Sequence, residues 1–151
     1  VILEGLAMLT LGGPMHIYHG GLQHARVRYY DAAARRPGLP EAVAALVERL
    51  THDSVTLQLV NLDLFEEKEL IVQAGTFGEH RFLEAREYDQ DGTLVRTVPA
   101  EGKWLHIRLG VGAGVKLELA MERYVNRPSY ETPWSGGLAS AELLKGREAA
   151  V

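Results

Sequence analysis

Between residues 54 and 125 apolar and polar side chains alternate through one short run after another. Val55, Leu57 and Leu59 fall on one face, with Thr56, Gln58 and Val60 on the other. Val115, Leu117, Leu119 and Met121 likewise alternate with Lys116, Glu118, Ala120 and Glu122. Successive side chains of a strand point to opposite faces, so a period of two marks half-buried strands. Strands are expected at 25–30, 55–61, 69–74, 81–88, 93–98, 104–109 and 115–125. Turn residues punctuate them: Asn61-Leu62-Asp63, Gly75, Asp91-Gly92, Glu101-Gly102 and Gly110-Val111-Gly112-Ala113-Gly114. Asp91-Gly92 between two alternating runs predicts a hairpin. Seven or so antiparallel strands favour two facing sheets, because a single sheet would leave a wide apolar face uncovered. The expected fold is mainly β: an antiparallel β-sandwich, immunoglobulin-like or jelly-roll-like, with a β-barrel as the alternative.

Two segments read as helical. Ile2, Leu6 and Leu9 recur at i, i+4 and i+7, and Gly12-Gly13-Pro14 stops the pattern, so a short buried helix opens the chain. Pro40 suits a first helical position, and Val43, Leu46, Val47 and Leu50 follow at helical spacing. That predicts an amphipathic helix over 40–50 lying on the sheet. The chain therefore divides into a helical segment at 1–14, from or toward a neighbouring domain, a β-sandwich at 15–134, and a flexible or helical tail at 135–151. Within the sandwich, the stretch 126–134 is expected to run extended over the surface with Tyr130 and Trp134 docked in grooves.

At 151 residues the chain has the size of one domain and can bury roughly two-thirds of its unfolded surface. Hydrophobic residues at 46% and charged residues at 24% exclude wholesale disorder. The net charge is -4, with 16 basic against 20 acidic residues, and no Lys/Arg cluster offers a footprint for nucleic acid. There is no cysteine, so neither a disulfide framework nor a thiolate nucleophile exists, and redox chemistry does not distinguish a cytoplasmic from a secreted protein. The apolar start is too short for a membrane span and lacks the basic flank of a signal peptide. Beginning with Val rather than Met, the sequence reads as part of a longer protein.

Candidate chemistry is confined to two groups of side chains. His16, His19 and His24 lie within nine residues, and Glu79-His80 occupies a turn that a sandwich would bring to the same end. Imidazoles with a carboxylate are the ligand set of a transition metal such as zinc, copper or iron. The spacing matches neither H-E-x-x-H nor a strand-borne H-x-H, and loop histidines more often bond backbone, so no cofactor is the first expectation and a metal the alternative. His106, alternating with Leu105 and Ile107, reads as a solvent-side strand residue. The second group is aromatic: Tyr18, Tyr30, Trp104 and Trp134 offer ring faces on which a sugar stacks. Alternation places Trp104 opposite the buried set of its strand, where it binds a ligand, packs under the terminal segment or meets another domain. Acidic residues such as Glu79, Glu84, Glu87, Asp89 and Asp91 are numerous enough for a glycosidase pair, but the separation such a pair requires is not readable from sequence. No serine sits in a G-x-S-x-G elbow, and the 110–114 glycines join two strands without opening a helix, unlike a phosphate loop.

The order strand, Asn-containing turn, strand, long turn, then Gly102-Lys103-Trp104-Leu105-His106-Ile107-Arg108-Leu109, a Gly-rich turn and Val115-Lys116-Leu117-Glu118-Leu119 resembles the C-terminal β-sandwich of multidomain glycoside hydrolases. The resemblance spans about 54–121. Ile17-Tyr18-His19-Gly20-Gly21 and Arg123-Tyr124-Val125-Asn126-Arg127-Pro128 are similar to segments of large uncharacterised bacterial proteins. The resemblance implies an accessory domain whose catalytic residues lie in a preceding domain, so none are assigned here. The expected function is a non-catalytic accessory or interaction domain of a larger carbohydrate-active or uncharacterised bacterial protein, its partners a neighbouring domain, a second copy or a carbohydrate. The alternative is a small metal-dependent enzyme built on the histidine-rich loop.

Overall fold

The computed structural model describes residues 3–13, 24–135 and 144–145. Helix α1 (Leu3–Leu11) leads into β1 (Val27–Asp31), β2 (Arg36–Pro37), β3 (Val43–Leu50), β4 (Ser54–Asn61), β5 (Lys68–Ala74), β6 (Arg81–Tyr88), β7 (Leu94–Gly102), β8 (Trp104–Leu109), β9 (Gly114–Glu122) and β10 (Leu144–Lys145). One sheet has the order β10-β8-β5-β1-β2 and the other β3-β4-β9-β6-β7. All pairs are antiparallel except the two-residue β10, which lies parallel to β8. The sheets remain separate, so the fold is a sandwich, and the barrel alternative is set aside among the described residues.

The alternating residues meet between the sheets. Val27, Tyr29, Leu70, Val72, Leu105, Ile107 and Leu109 from one sheet close on Val55, Leu57, Leu59, Phe82, Leu117 and Leu119 from the other. Each aliphatic side chain buried in this way contributes roughly 1.5–3 kcal/mol of transfer free energy. The Asp91-Gly92 hairpin forms as predicted. Asp89 accepts the Asp91 and Thr93 amides through Oδ1 at 3.0 and 2.8 Å, and Gly92 supplies the positive φ of +81° that the turn requires.

The segment 40–50 is a correction: it is strand β3, not a helix. Val43 and Val47 point into the core, whereas Leu46 and Leu50, which completed the apparent helical stripe, are 38% and 45% exposed. Val43 and Val47 satisfy a period of two as well as one of 3.6, and β4 needs a partner on that edge. Pairing from Val43↔Asn61 to Leu50↔Val55 supplies it, and a bulge between Val47 and Arg49 bends an edge that also carries Glu48 and Arg49. Helix α1 occurs where predicted and ends at Gly12, whose φ of +66° forms the left-handed cap. Its docking is only partial: Leu11 packs on the core and the Thr10 carbonyl accepts the Tyr29 hydroxyl at 2.7 Å, while Leu6 and Leu9 are 61% and 48% exposed. The expectation of a buried opening helix is corrected accordingly.

Asn61 fixes the crossovers between the sheets at one end. Its amide donates to the carbonyls of Glu66 and Gly110 at 2.8 and 2.9 Å and accepts the Asp63 amide at 3.0 Å, with 1% of the residue exposed. Asn61→Ala leaves the buried Gly110 carbonyl, the Glu66 carbonyl and the Asp63 N–H without this partner. It is expected to cost about 2–4 kcal/mol, read as a lower urea midpoint at unchanged slope, and a loss under 1 kcal/mol would contradict this role.

Candidate functional site

The residues singled out in the sequence fall at three places. Glu79 and His80 close the β5–β6 turn and are buried. The Glu79 carboxylate accepts the Phe77 amide at 2.7 Å and lies beneath Gly75. A Cβ at that glycine would come within 2.4 Å of the carboxylate, so only glycine admits this packing. His80 accepts the Tyr124 amide through Nδ1 at 3.0 Å, with its ring edge-on to the Tyr124 ring at 4.7 Å. The turn is sewn to the strand exit by Asn126, which donates to the Gly78 and His80 carbonyls at 3.1 and 2.8 Å. His24 belongs to the same end, because the Ala25 amide donates to Thr76 Oγ1, but its side chain is exposed. His16, His19 and Tyr18 lie outside the described residues. Among the described residues no three His, Asp or Glu side chains gather around one point, and Glu79 and His80 serve the turn.

The aromatic residues do converge, on the outer face of the β8-β5-β1 sheet. Register places Gln73 between Arg28 of β1 and Trp104 of β8, and Ile71 between Tyr30 and His106. Gln73 Oε1 accepts the Tyr30 hydroxyl at 3.2 Å and the Trp104 indole N–H at 2.9 Å. Its amide donates to the Gly75 and Thr76 carbonyls at 3.0 Å each, so every valence is used. Trp134 stands edge-on to Tyr30 at 5.5 Å, and Lys103 Nζ lies over the Trp104 ring at 4.5 Å. Tyr30, Ile71 and Gln73 are at most 2% exposed, although they face away from the core. The strand exit covers this face, as the extended reading of 126–134 anticipates. Trp134 docks, whereas Tyr130 remains 89% exposed, its ring edge-on to Phe77. His106 is half-buried beside Glu69, at 3.2 Å.

A third place escapes sequence reasoning. The outer face of the second sheet carries a row Gln58, Lys116, Tyr88 across β4, β9 and β6. Beyond it Val60 is paired with Gly114, and the missing side chain opens a cleft of about 670 Å³. Gln58, Val60, Tyr88, Asp89, Gln90, Asp91, Val95 and Lys116 line it. Glu87, buried on β6 and ion-paired with Arg96, also borders it. The volume suits a small molecule. Its lining joins one aromatic ring and two valines to amide, carboxylate and ammonium groups, a mixture suited to a polyhydroxylated ligand. Only the register, joining residues from four strands, brings the set together. Compared with protein-family models, curated proteins and solved structures, the chain matches none of them.

Burial is the main force that holds the His80 imidazole below its ordinary pKa of 6.5, and the Arg123 and Arg26 charges add to it against the pull of Glu79. As the pH falls below about 6.5 the unfolded chain takes up a proton that the folded chain resists, so stability declines through that window and is fully present above it. His80→Asn keeps an acceptor for the Tyr124 amide and removes the ionisation. Denaturant midpoints at pH 7.5 and pH 5 are expected to separate for the parent protein and to move together in the variant. An equal separation in both would assign the acid sensitivity elsewhere.

Proposed function

We propose that this chain is an accessory β-sandwich of a larger protein and that it holds a saccharide in the cleft between Val60 and the β6–β7 hairpin. The observation that carries this reading is the lining of that cleft. A pyranose ring has one apolar face and a rim of hydroxyl pairs. Tyr88, Val60 and Val95 answer the first; Gln58, Asp91, Gln90 and Lys116 answer the second. The rings first considered for stacking are already engaged, Trp104 with Lys103 and Gln73 and Trp134 with Tyr30. The contact to a neighbouring domain falls to the other end, where Leu6 and Leu9 of α1 and Leu50 of β3 are exposed. Among the described residues no helix is long and apolar enough to cross a membrane.

Titration calorimetry against a panel of neutral oligosaccharides tests this reading. Tyr88→Ala is expected to weaken binding about tenfold, the value of one stacked ring. Gly114→Val puts a strand-compatible side chain into the cleft, where a Cβ meets its neighbours at an ordinary 3.6 Å, and is expected to abolish binding with the melting temperature preserved. Saccharide binding that survives Gly114→Val, or no binding at millimolar concentrations, would remove the cleft from consideration.

A further inference from the structure

The crossover from β4 to β5 holds an apolar tip out in water. Leu62, Leu64 and Phe65 are 62%, 71% and 90% exposed, and no other four consecutive described residues leave three large apolar side chains uncovered. The tip is tied down on every side. The Leu62 amide donates to the Ala42 carbonyl at 2.7 Å, and the Gly112 amide donates to the Asp63 carbonyl at 2.9 Å. Asp63 Oδ1 accepts the Phe65 and Glu66 amides at 2.9 and 3.1 Å, and its Oδ2 meets Lys68 Nζ at 3.0 Å. Asn61 joins both feet of the loop, accepting the Asp63 amide and donating to the Glu66 carbonyl. Each large apolar side chain kept in water forgoes the free energy of burial. A backbone fixed by this many bonds has already lost the freedom that a binding loop would lose on docking, and exposed apolar clusters of this kind mark contact surfaces. The β3–β4 register puts the tip at the end of the sandwich away from Leu50, so it is distinct from the face assigned to a neighbouring domain.

The charges around the tip select what covers it. Phe65 forms one wall of an open hollow of about 300 Å³, whose other lining residues are Glu41, Ala42, Asp63, Glu66 and Lys68. Lys68 is the one cation of that set and is shared between Asp63 and Glu66, at 3.0 and 2.8 Å. Three carboxylates against one ammonium leave the hollow acidic, and the exposed Glu67 follows in the chain. A ring beside carboxylates receives both parts of a lysine or arginine, the charged head on the acids and the stem or guanidinium plane on the ring. An anionic membrane surface is repelled by the same acids, and a neutral one gains nothing from them.

We infer that the 62–65 tip docks a basic amphipathic segment of a partner protein, whose apolar face covers Leu62, Leu64 and Phe65 and whose lysine or arginine enters the hollow beside Glu41. The apolar contact supplies affinity, and the acidic setting supplies the choice of partner.

Fluorescence anisotropy with two labelled synthetic peptides tests this inference. One repeats leucine and lysine at helical spacing, and the other has glutamate in place of every lysine. The lysine peptide is expected to bind saturably, and the glutamate peptide about tenfold or more weaker. Phe65→Ser keeps the net charge and is expected to weaken the lysine peptide about tenfold or more. Glu41→Gln combined with Glu67→Gln is expected to cost several-fold, as is raising the salt to about 0.5 M. All the substituted side chains are exposed, so melting temperatures are expected to match that of the parent protein. No binding of the lysine peptide, equal binding of the two peptides, or binding unchanged by Phe65→Ser overturns the inference. Phosphatidylcholine vesicles form the last arm: the protein is expected to stay in the supernatant when they are sedimented, and pelleting that Phe65→Ser abolishes would give the tip to a bilayer and overturn the inference as well.

Discussion

The pairing of β4 with β9 is the constraint on which the rest of the molecule rests. Val55, Leu57 and Leu59 stand opposite Leu119, Leu117 and Val115 in an unbroken antiparallel register. These two strands occupy the middle of their sheet, with β3 on one side and β6 on the other. A slip of one residue would turn the three aliphatic side chains of the slipping strand outward and bring its polar set, Thr56 and Gln58 or Lys116 and Glu118, into the core. The same register that buries the leucines sets Gln58 beside Lys116 and Val60 beside Gly114. Core and cleft are two faces of one pairing, and neither can be moved without the other.

The faces that look away from the core are finished differently. On the second sheet they carry charge networks: Glu48 with Gln58 and Lys116, and Arg86 with Glu84 and Glu118. Exposed pairs of this kind contribute little stability, and they leave the surface wet and open around the cleft. On the first sheet the outer face is dry, with Gln73 joining Tyr30 and Trp104 under the chain that carries Trp134. A buried amide with every valence met adds specificity of packing, and any ligand competing for those rings would have to displace the strand exit. That asymmetry moves the proposed ligand site from the tryptophans to the face built on Tyr88.

The sandwich was legible because alternation is a local signal, and strands buried on one face repeat it faithfully at 55–60 and 115–122. It failed over 40–50, where Val43 and Val47 fit both periods and only the need of β4 for a neighbour decides between them. The orientation of Trp104 could be read from its strand, but its partner Gln73 could not, since that contact requires the alignment of β5 with β8. Glu79 and His80 were visible as a pair, whereas their attachment to Tyr124 and Asn126 follows from crossovers that leave no trace in spacing. The cleft shares this character: it gathers residues from distant parts of the chain, and Gly114 is not distinctive in its own neighbourhood.

The strain at Tyr124 joins these observations. Its amide donates to His80, its ring packs edge-on to the same imidazole, and its hydroxyl accepts from Arg123. The left-handed backbone at this residue, with a φ of +58°, costs of order 1 kcal/mol, and the His80 bond is what holds it there. A neutral imidazole is required, because Nδ1 must accept. The nearby guanidinium charges, after burial itself, help to keep it neutral. Removing either arginine relaxes the penalty on protonating His80, so the charges at this end and the protonation of a buried histidine are linked through one strained tyrosine.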